Sequence, residues 1–302
     1  MKRTRHALIV RLVTFILNLI PDRILVIIKA KIQIIRKMDY PRHDIFLNIN
    51  SEIEYHIRLH SAKKEPEMIE WIETFFADGD VFYDVGANVG AYSIVASKYF
   101  NGRVKVYAFE PGFTTFPELC LNIQTNKCWR SIVPLQIALS DKTDIDVLNY
   151  ENLTPGGALH ALGDPLDYKG DEFVPVLQQP VLSFRVDDLV KYFHLPLPTH
   201  IKVDVDGTEF KILQGAEETL TNPLVKSVIV EIQEGNEEAG NIMAFLKRKG
   251  LNFHSKHRYV YGGPLSRFSN VYNYIFSRTH QQALSQHLAS SPVPRLSTPS
   301  TL

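Results

Sequence analysis

Cysteine is nearly missing from this chain: Cys120 and Cys128 are the only two in 302 residues. Two thiols build neither a disulfide framework nor a zinc site, and the count fits a reducing compartment, the cytoplasm. At helical spacing they would stand about two turns apart, too far to bridge, so they read as buried structural thiols. Net charge is missing as well. The 33 Lys/Arg residues balance 33 Asp/Glu, so the totals give no case for a nucleic-acid partner. No apolar stretch near the start reaches the roughly 20 residues that a membrane span needs; Ala7–Ile20 is 14 residues long and contains Arg11. No A-x-A-like cleavage site follows it, and no internal repeat is apparent.

The balance of charge hides an asymmetry. Residues 1–43 hold ten Lys/Arg against Asp22 and Asp39. Pro21 divides two apolar, lysine- and arginine-bearing runs, Ala7–Ile20 and Ile24–Ile35. Two amphipathic helices with basic faces suit either a membrane surface, contacted through residues 1–37, or an N-terminal cap on the chain's own domain. Membrane contact would put the protein at the inner face of a membrane. Residues 44–59 alternate apolar and polar with a turn at Asn50–Ser51, the pattern of a β-hairpin. Pro66 opens a helix carrying Met68, Ile69, Ile72, Phe75 and Phe76 on one face.

From Val81 the pattern becomes strand–helix alternation. Strands are expected at 81–85, 104–109, 132–139, 200–205, 226–232 and 271–276, with helices between them at 91–99, 114–126, 186–193, 209–220 and 237–249. Such alternation predicts an α/β fold with a mostly parallel sheet covered by helices on both faces. The Gly/Pro/Asp-rich stretch 150–182 reads as a long functional loop. Its Tyr150, His160 and Tyr168 could stack on or hydrogen-bond a ligand. The Ser/Pro/Gln-rich tail from 279 reads as disordered. The expected organisation is an N-terminal extension of basic amphipathic helices and hairpin (1–64), an α/β domain (65–278) and the tail (279–302).

The stretch "VFYDVGANVG" ends a strand on Asp84 and follows it with Gly86, Asn88 and Gly90. In open parallel sheets ligands bind at this end of the strands, and glycines there allow close approach of a ligand and of the next helix. The following strand ends in "VYAFEP", which places Glu110 24 residues beyond Gly86. A carboxylate at about that distance grips a ribose diol. Asn88 and Ala91 stand where a dinucleotide turn requires glycine, which argues against an NAD-dependent oxidoreductase. Asp84 would repel a phosphate but suit an ammonium or other cationic group. Amino, sulfonium and ribose groups together describe S-adenosylmethionine.

"HIKVDVDGTEFKILQGA" repeats the pattern at another strand end, with Asp204, Asp206, Gly207 and Glu209. Such acids could orient a hydroxyl, act as general base or share a metal. The structural alternative is that Thr208 or Asp206 caps the helix and Asp204 pairs with Lys202 or Lys211. A divalent metal is conceivable at Asp204/Asp206, but no metal ligand set is predicted. His160, His200 and Glu231 are further candidates, Glu231 at the rim of the same crevice.

"FYDVGANVGAYSIVASK", "VYAFEP", "IALSD", "KVDVDGTEFKILQGA" and "SVIVEIQE" resemble, in order and spacing, the FkbM-type S-adenosylmethionine-dependent methyltransferases over roughly residues 65–278. The resemblance implies the class I (Rossmann-like) methyltransferase fold, with a seven-stranded, mostly parallel sheet flanked by helices. It implies methyl transfer to a hydroxyl oxygen of a saccharide or related small-molecule acceptor. By position, Asp84, Gly86, Asn88 and Gly90 would form the cofactor turn, Glu110 would hold the ribose and Asp141 would lie near the adenine. Asp204, Asp206 and Glu209 would face the acceptor, with His160 and Glu231 as substrate contacts. The family pattern D-V-E-G-x-E is D-V-D-G-T-E here, so Asp206 is one methylene shorter. A non-catalytic, membrane-associated S-adenosylmethionine-binding protein would carry the same turn.

Overall fold

The computed structural model describes residues 2–167, 170–235, 237–258 and 270–278, and of residues 2–7 and 9 only the backbone. Tyr168 and the tail from 279 lie outside the described residues. The central sheet has seven strands: β1 (Val81–Val85), β2 (Lys105–Phe109), β3 (Ile132–Leu135), β4 (His200–Val203), β5 (Ser227–Gln233), β6 (Asn252–Arg258) and β7 (Val271–Ser277). Their order is β6-β7-β5-β4-β1-β2-β3. β1 to β5 run parallel and β7 is antiparallel to both its neighbours. The order reverses between β1 and β4, which opens a crevice beyond their carboxyl ends.

Alternation along β1 explains how the sheet is buried on both faces. Phe82 joins a core with Trp71, Phe76, Val106 and Ile94, while Tyr83 and Val85 join Phe109, Val203, Leu213 and Val230 on the opposite face. Each such side chain contributes about 1.5–3 kcal/mol of apolar burial. Beneath the amino ends of the strands His200, fully buried, meets Ser227 through Nδ1 at 2.7 Å and Asp80 through Nε2 at 2.9 Å.

Several local expectations are corrected. The segment 44–59 is not a hairpin. Phe46–Asn48 pairs antiparallel with Ile35–Lys37, and Glu52–His56 is helical. Ser51 accepts the Glu54 amide at 3.1 Å and Glu54 takes the Asn50 amide at 2.6 Å, so a capping arrangement overrides the alternating pattern. Met38, Tyr40, Ile45 and Leu47 are buried in the same core as Trp71, so the packed unit begins near Met38 rather than at 65. The expected strand 132–139 divides. Ile132–Leu135 stays in the central sheet, and Ala138–Leu139 passes to a second, four-stranded sheet with Leu177–Phe184, Asp144–Tyr150 and Ala161–Leu162. The stretch read as one long loop is therefore partly sheet; Pro180 and the interrupted alternation conceal its strands. The helix expected over 209–220 breaks at Ala216, next to Gly215, which lies against Ser140, where a Cβ would come within 1.9 Å of the carbonyl oxygen. β6 had no counterpart in the expected strands.

Helices Lys2–Asn18 and Asp22–Lys31 stand apart from this core. Among the described side chains from 10 to 37, none is buried, and Leu12, Phe15, Leu19 and Val26 are 58–68% exposed. The cap reading is thereby corrected. Among the described residues no helix is long and apolar enough to cross a membrane.

Candidate active site

A cavity of about 280 Å³ opens at the carboxyl ends of β1, β2, β4 and β5. Gly86, Asn88, Phe109 and Glu110 form one wall, and Ile137, Leu139 and Leu162 extend it as an apolar slot. Asp204, Asp206 and Glu231 line the cavity beside the Gly86 turn, together with His160, Leu159 and Arg58.

The glycine turn has an architectural reason. Gly86 has φ +74°, and a Cβ there would stand 1.9 Å from the Asp204 carbonyl oxygen. Gly90 has φ +83°, and its Cβ would meet Leu119 at 2.5 Å. The first glycine lets two strand ends touch and the second leaves room for Leu119 of helix Phe116–Thr125; neither Cβ would point at open cavity. Asn88, itself left-handed with φ 50°, donates from Nδ2 to the Gly157 carbonyl at 2.7 Å and accepts the Val89 amide at 2.9 Å.

Glu110 is buried on the cavity wall. Its Oε2 accepts the Asn88 amide at 3.0 Å and its Oε1 the Gly112 amide at 2.9 Å. Burial pushes its pKa up to about 7 against these amides. Each oxygen keeps a further acceptor position, so the pair can take two vicinal hydroxyls.

Asp84 departs from the expected role. It is fully buried and does not line the cavity. Its Oδ2 accepts the Ser93 hydroxyl at 2.6 Å and its Oδ1 lies 3.3 Å from Lys202 Nζ. The cation it suits is the protein's own. Lys202 also pairs with Asp204 at 3.2 Å and donates to the Gly86 carbonyl at 3.0 Å. Burial works against the Lys202 ammonium, but the charges of Asp204 and Asp84 outweigh it and raise its pKa. Lys202 was legible only as one optional partner for Asp204.

Asp141 is exposed and off the cavity wall, its Oδ1 accepting the Ser140 hydroxyl at 3.0 Å. Glu209 also turns away from the expected acceptor side. Its carboxylate takes the Val205 amide at 3.2 Å and the Gly207 amide at 3.1 Å, holding the turn, and burial raises its pKa to about 7. Thr208 makes no side-chain cap.

Asp204, Asp206, His160 and Glu231 do converge. Asp206, in the left-handed region at φ 64°, accepts the Leu159 amide on Oδ2 at 2.6 Å. Burial and the charge of Asp204 raise its pKa to about 6. Asp204 is pulled the other way: burial opposes ionisation, but Lys202 and Lys64 bring its pKa below the usual carboxylate value. Burial and the charges of Asp204 and Asp206 hold Glu231 well above it. Burial, then Arg58, lowers His160 to about 4, so its imidazole is neutral at pH 7. Neither His160 ring nitrogen has a hydrogen-bond partner among the described residues, and the ring packs on Tyr150 at 4.6 Å. His200 belongs to the buried network under the sheet. Among the described residues no three His, Cys, Asp or Glu side chains are grouped to hold a metal.

A sheet of order 3-2-1-4-5-7-6 with its seventh strand reversed, and a glycine turn after the first strand facing an acid after the second, define the class I methyltransferase architecture. A model of the methyltransferase FkbM domain matches residues 84–255. The chain belongs to that family. Hexuronic acid methyltransferase AglP of Haloferax volcanii is 28% identical over 59% of this chain and 66% of its own length, just under two thirds. Methyltransferase sdnD of Sordaria araneosa is 26% identical over 56% of this chain and 72% of its own. The 31-O-demethyl-FK506 methyltransferase FkbM of Streptomyces tacrolimicus is 25% identical over 57% and 73%. Family membership decides against the NAD-dependent reading.

Proposed function

We propose that the protein is an S-adenosylmethionine-dependent O-methyltransferase acting on a hydroxyl of a saccharide or related small molecule. The observation that carries this is one cavity joining a diol-binding carboxylate, Glu110, to an acid of raised pKa, Asp206. The relatives' names, a hexuronic acid methyltransferase among them, point to the acceptor class.

When bound, S-adenosylmethionine supplies a methyl group already activated on sulfonium. Glu110 would hold its ribose hydroxyls, and Phe109, Ile137 and Leu139 on the apolar side of the cavity would receive the adenine. Asp206 takes the proton from the acceptor hydroxyl. Its Oδ2 already accepts the Leu159 amide, which leaves Oδ1 as the freer oxygen for the acceptor proton. Asp204, paired with Lys202, is the weaker base. Burial and the charges of Asp204 and Asp206 favour the protonated form of Glu231, which can donate a hydrogen bond to an acceptor oxygen, and His160 offers a neutral donor and acceptor beside it. Much of the remaining rate comes from holding acceptor and methyl in line.

The test is thermal denaturation with S-adenosylmethionine, S-adenosylhomocysteine and NAD, repeated with Glu110→Ala. Ligand binding only the folded state raises Tm. A rise with the first two ligands, lost in the variant, is the expected result. A rise with NAD alone, or none, would overturn the reading. Cofactor binding without turnover of any sugar acceptor would favour the non-catalytic alternative.

The same reading includes contact with an anionic membrane surface, supported by the exposed apolar side chains of the N-terminal helices and by Arg11, Arg23, Lys29 and Lys31 beside them. Vesicles containing phosphatidylglycerol should co-sediment the protein, and Phe15→Glu with Val26→Glu should abolish this. Equal retention by both forms would count against a membrane role.

A further inference from the structure

Arg58 stands on the cavity wall, in a segment outside the sequence motifs. Its Nε, at 2.9 Å, and its Nη2, at 2.8 Å, both donate to one neutral acceptor, the Gly156 carbonyl of the loop over the cavity. A guanidinium carries five N–H donors in a rigid fork. The side edge of this fork is therefore used. The end edge, formed by Nη1 and the second hydrogen of Nη2, has no partner among the described residues. The cavity's ion pairs join Lys202 to Asp84 and Asp204, and Lys64 to Glu65; Arg58 is in none of them. Its charge still reaches Glu110, Asp204, Asp206 and His160, whose ionisation it biases, which places it in the middle of the site. Gly156 anchors the fork in turn. Ser51 donates to the Pro155 carbonyl at 2.7 Å and Asn88 to the Gly157 carbonyl at 2.7 Å, so the loop is fixed on either side of the acceptor Arg58 uses. A guanidinium held by one edge in a partly desolvated cavity, with the other edge open, is preorganised for a planar two-oxygen anion.

We propose that Arg58 is the carboxylate-binding residue of this cavity, its open edge taking a ligand carboxylate in a two-point hydrogen-bonded pair. The inference rests on the reading of the cavity as an S-adenosylmethionine site. Two ligands can bring the carboxylate: the cofactor through its amino-acid end, or an acidic sugar acceptor.

Matched pairs of probes separate these sources. S-adenosylhomocysteine and 5′-methylthioadenosine share the adenosine and thioether, but only the first has a carboxylate. Methyl glucuronide and methyl glucoside stand in the same relation and are titrated with S-adenosylhomocysteine present. Calorimetric affinities are compared for the wild type, Arg58→Gln, which keeps a donor for Gly156, and Arg58→Lys, which keeps the charge. A charge-assisted pair corresponds to roughly tenfold to a hundredfold in affinity. The expected result is a loss of that order in Arg58→Gln for one carboxylate-bearing probe, none for its carboxylate-free counterpart, and partial recovery in Arg58→Lys. Loss confined to S-adenosylhomocysteine assigns the carboxylate to the cofactor; loss confined to the glucuronide assigns it to the acceptor. Equal losses within both pairs would reduce Arg58 to a loop anchor and overturn the proposal, as would no loss at all. Wild-type protein that binds neither nucleoside probe would instead refute the cofactor site itself.

Discussion

Replacing Lys202 with methionine is the sharpest test of how the site is held together. The Lys202 side chain is 2% exposed and stands between Asp84 and Asp204, at 3.3 and 3.2 Å. It also donates to the Val85 and Gly86 carbonyls at 3.3 and 3.0 Å. Methionine fills much of the space but removes the ammonium. Asp204, partly exposed, can recruit water. Asp84, fully buried, is left with the Ser93 hydroxyl alone. Breaking a buried pair from one side costs about 3–5 kcal/mol, because the surviving charge is uncompensated. Total stabilities are about 5–15 kcal/mol, so Lys202→Met should lose a large part of the fold's margin in urea denaturation at pH 7.5. Adding Asp84→Asn removes the orphaned charge, and Asp84→Asn/Lys202→Met should regain at least about 2 kcal/mol over Lys202→Met alone. A Lys202→Met protein within about 1 kcal/mol of wild type, or a double variant no better than the single one, would refute this account of the buried charges.

Gly86→Ala should destabilise the protein by about 3 kcal/mol or more, measured by urea denaturation, since its Cβ meets backbone at a positive φ. Asp206→Asn should lower kcat by about 10²–10⁴ with little change in cofactor affinity, and wild-type kcat should rise with pH through about 6 as Asp206 loses its proton. Near the amino ends of the strands, burial raises Asp80, but His200 and Lys226 outweigh it and lower its pKa to about 2 from 3.8. That pairing is worth about 2 kcal/mol above pH 3.8 and is lost as pH falls through 2. Asp80→Asn should therefore be less stable at pH 7 and show a weaker acid dependence between pH 4 and 2, followed by circular dichroism.

The central sheet was legible because β1, β2, β4 and β5 are short segments rich in β-branched and aromatic residues that alternate with helix-length segments. Glu110, Asp206, His160 and Glu231 were legible as cavity residues because strand ends and the loop after Tyr150 announce themselves locally. Lys202 meets Asp84 across 118 positions, and no local spacing reveals that a residue expected to attract a ligand's cation is already neutralised. Arg58 was hidden by an alternating stretch whose Ser51 and Glu54 form a helix-start signal that the hairpin reading passed over. Gly86 was recognised as necessary, but for a different reason: its neighbour is the Asp204 carbonyl rather than a ligand. Asp141 shows the opposite limit, a position that matches a motif while its side chain points to solvent.

The contact between Gly86 and Asp204 acts as a gauge block. With no side chain at 86, the turn beside Glu110 and the turn bearing Asp206 rest backbone against backbone, and that contact sets the gap between Glu110 and Asp206 in the cavity. Any side chain at 86 would force the two turns apart by about 1 Å, a misplacement that costs on the order of a hundredfold in rate. The tolerance of the proposed reaction is thus set by an atom the chain leaves out.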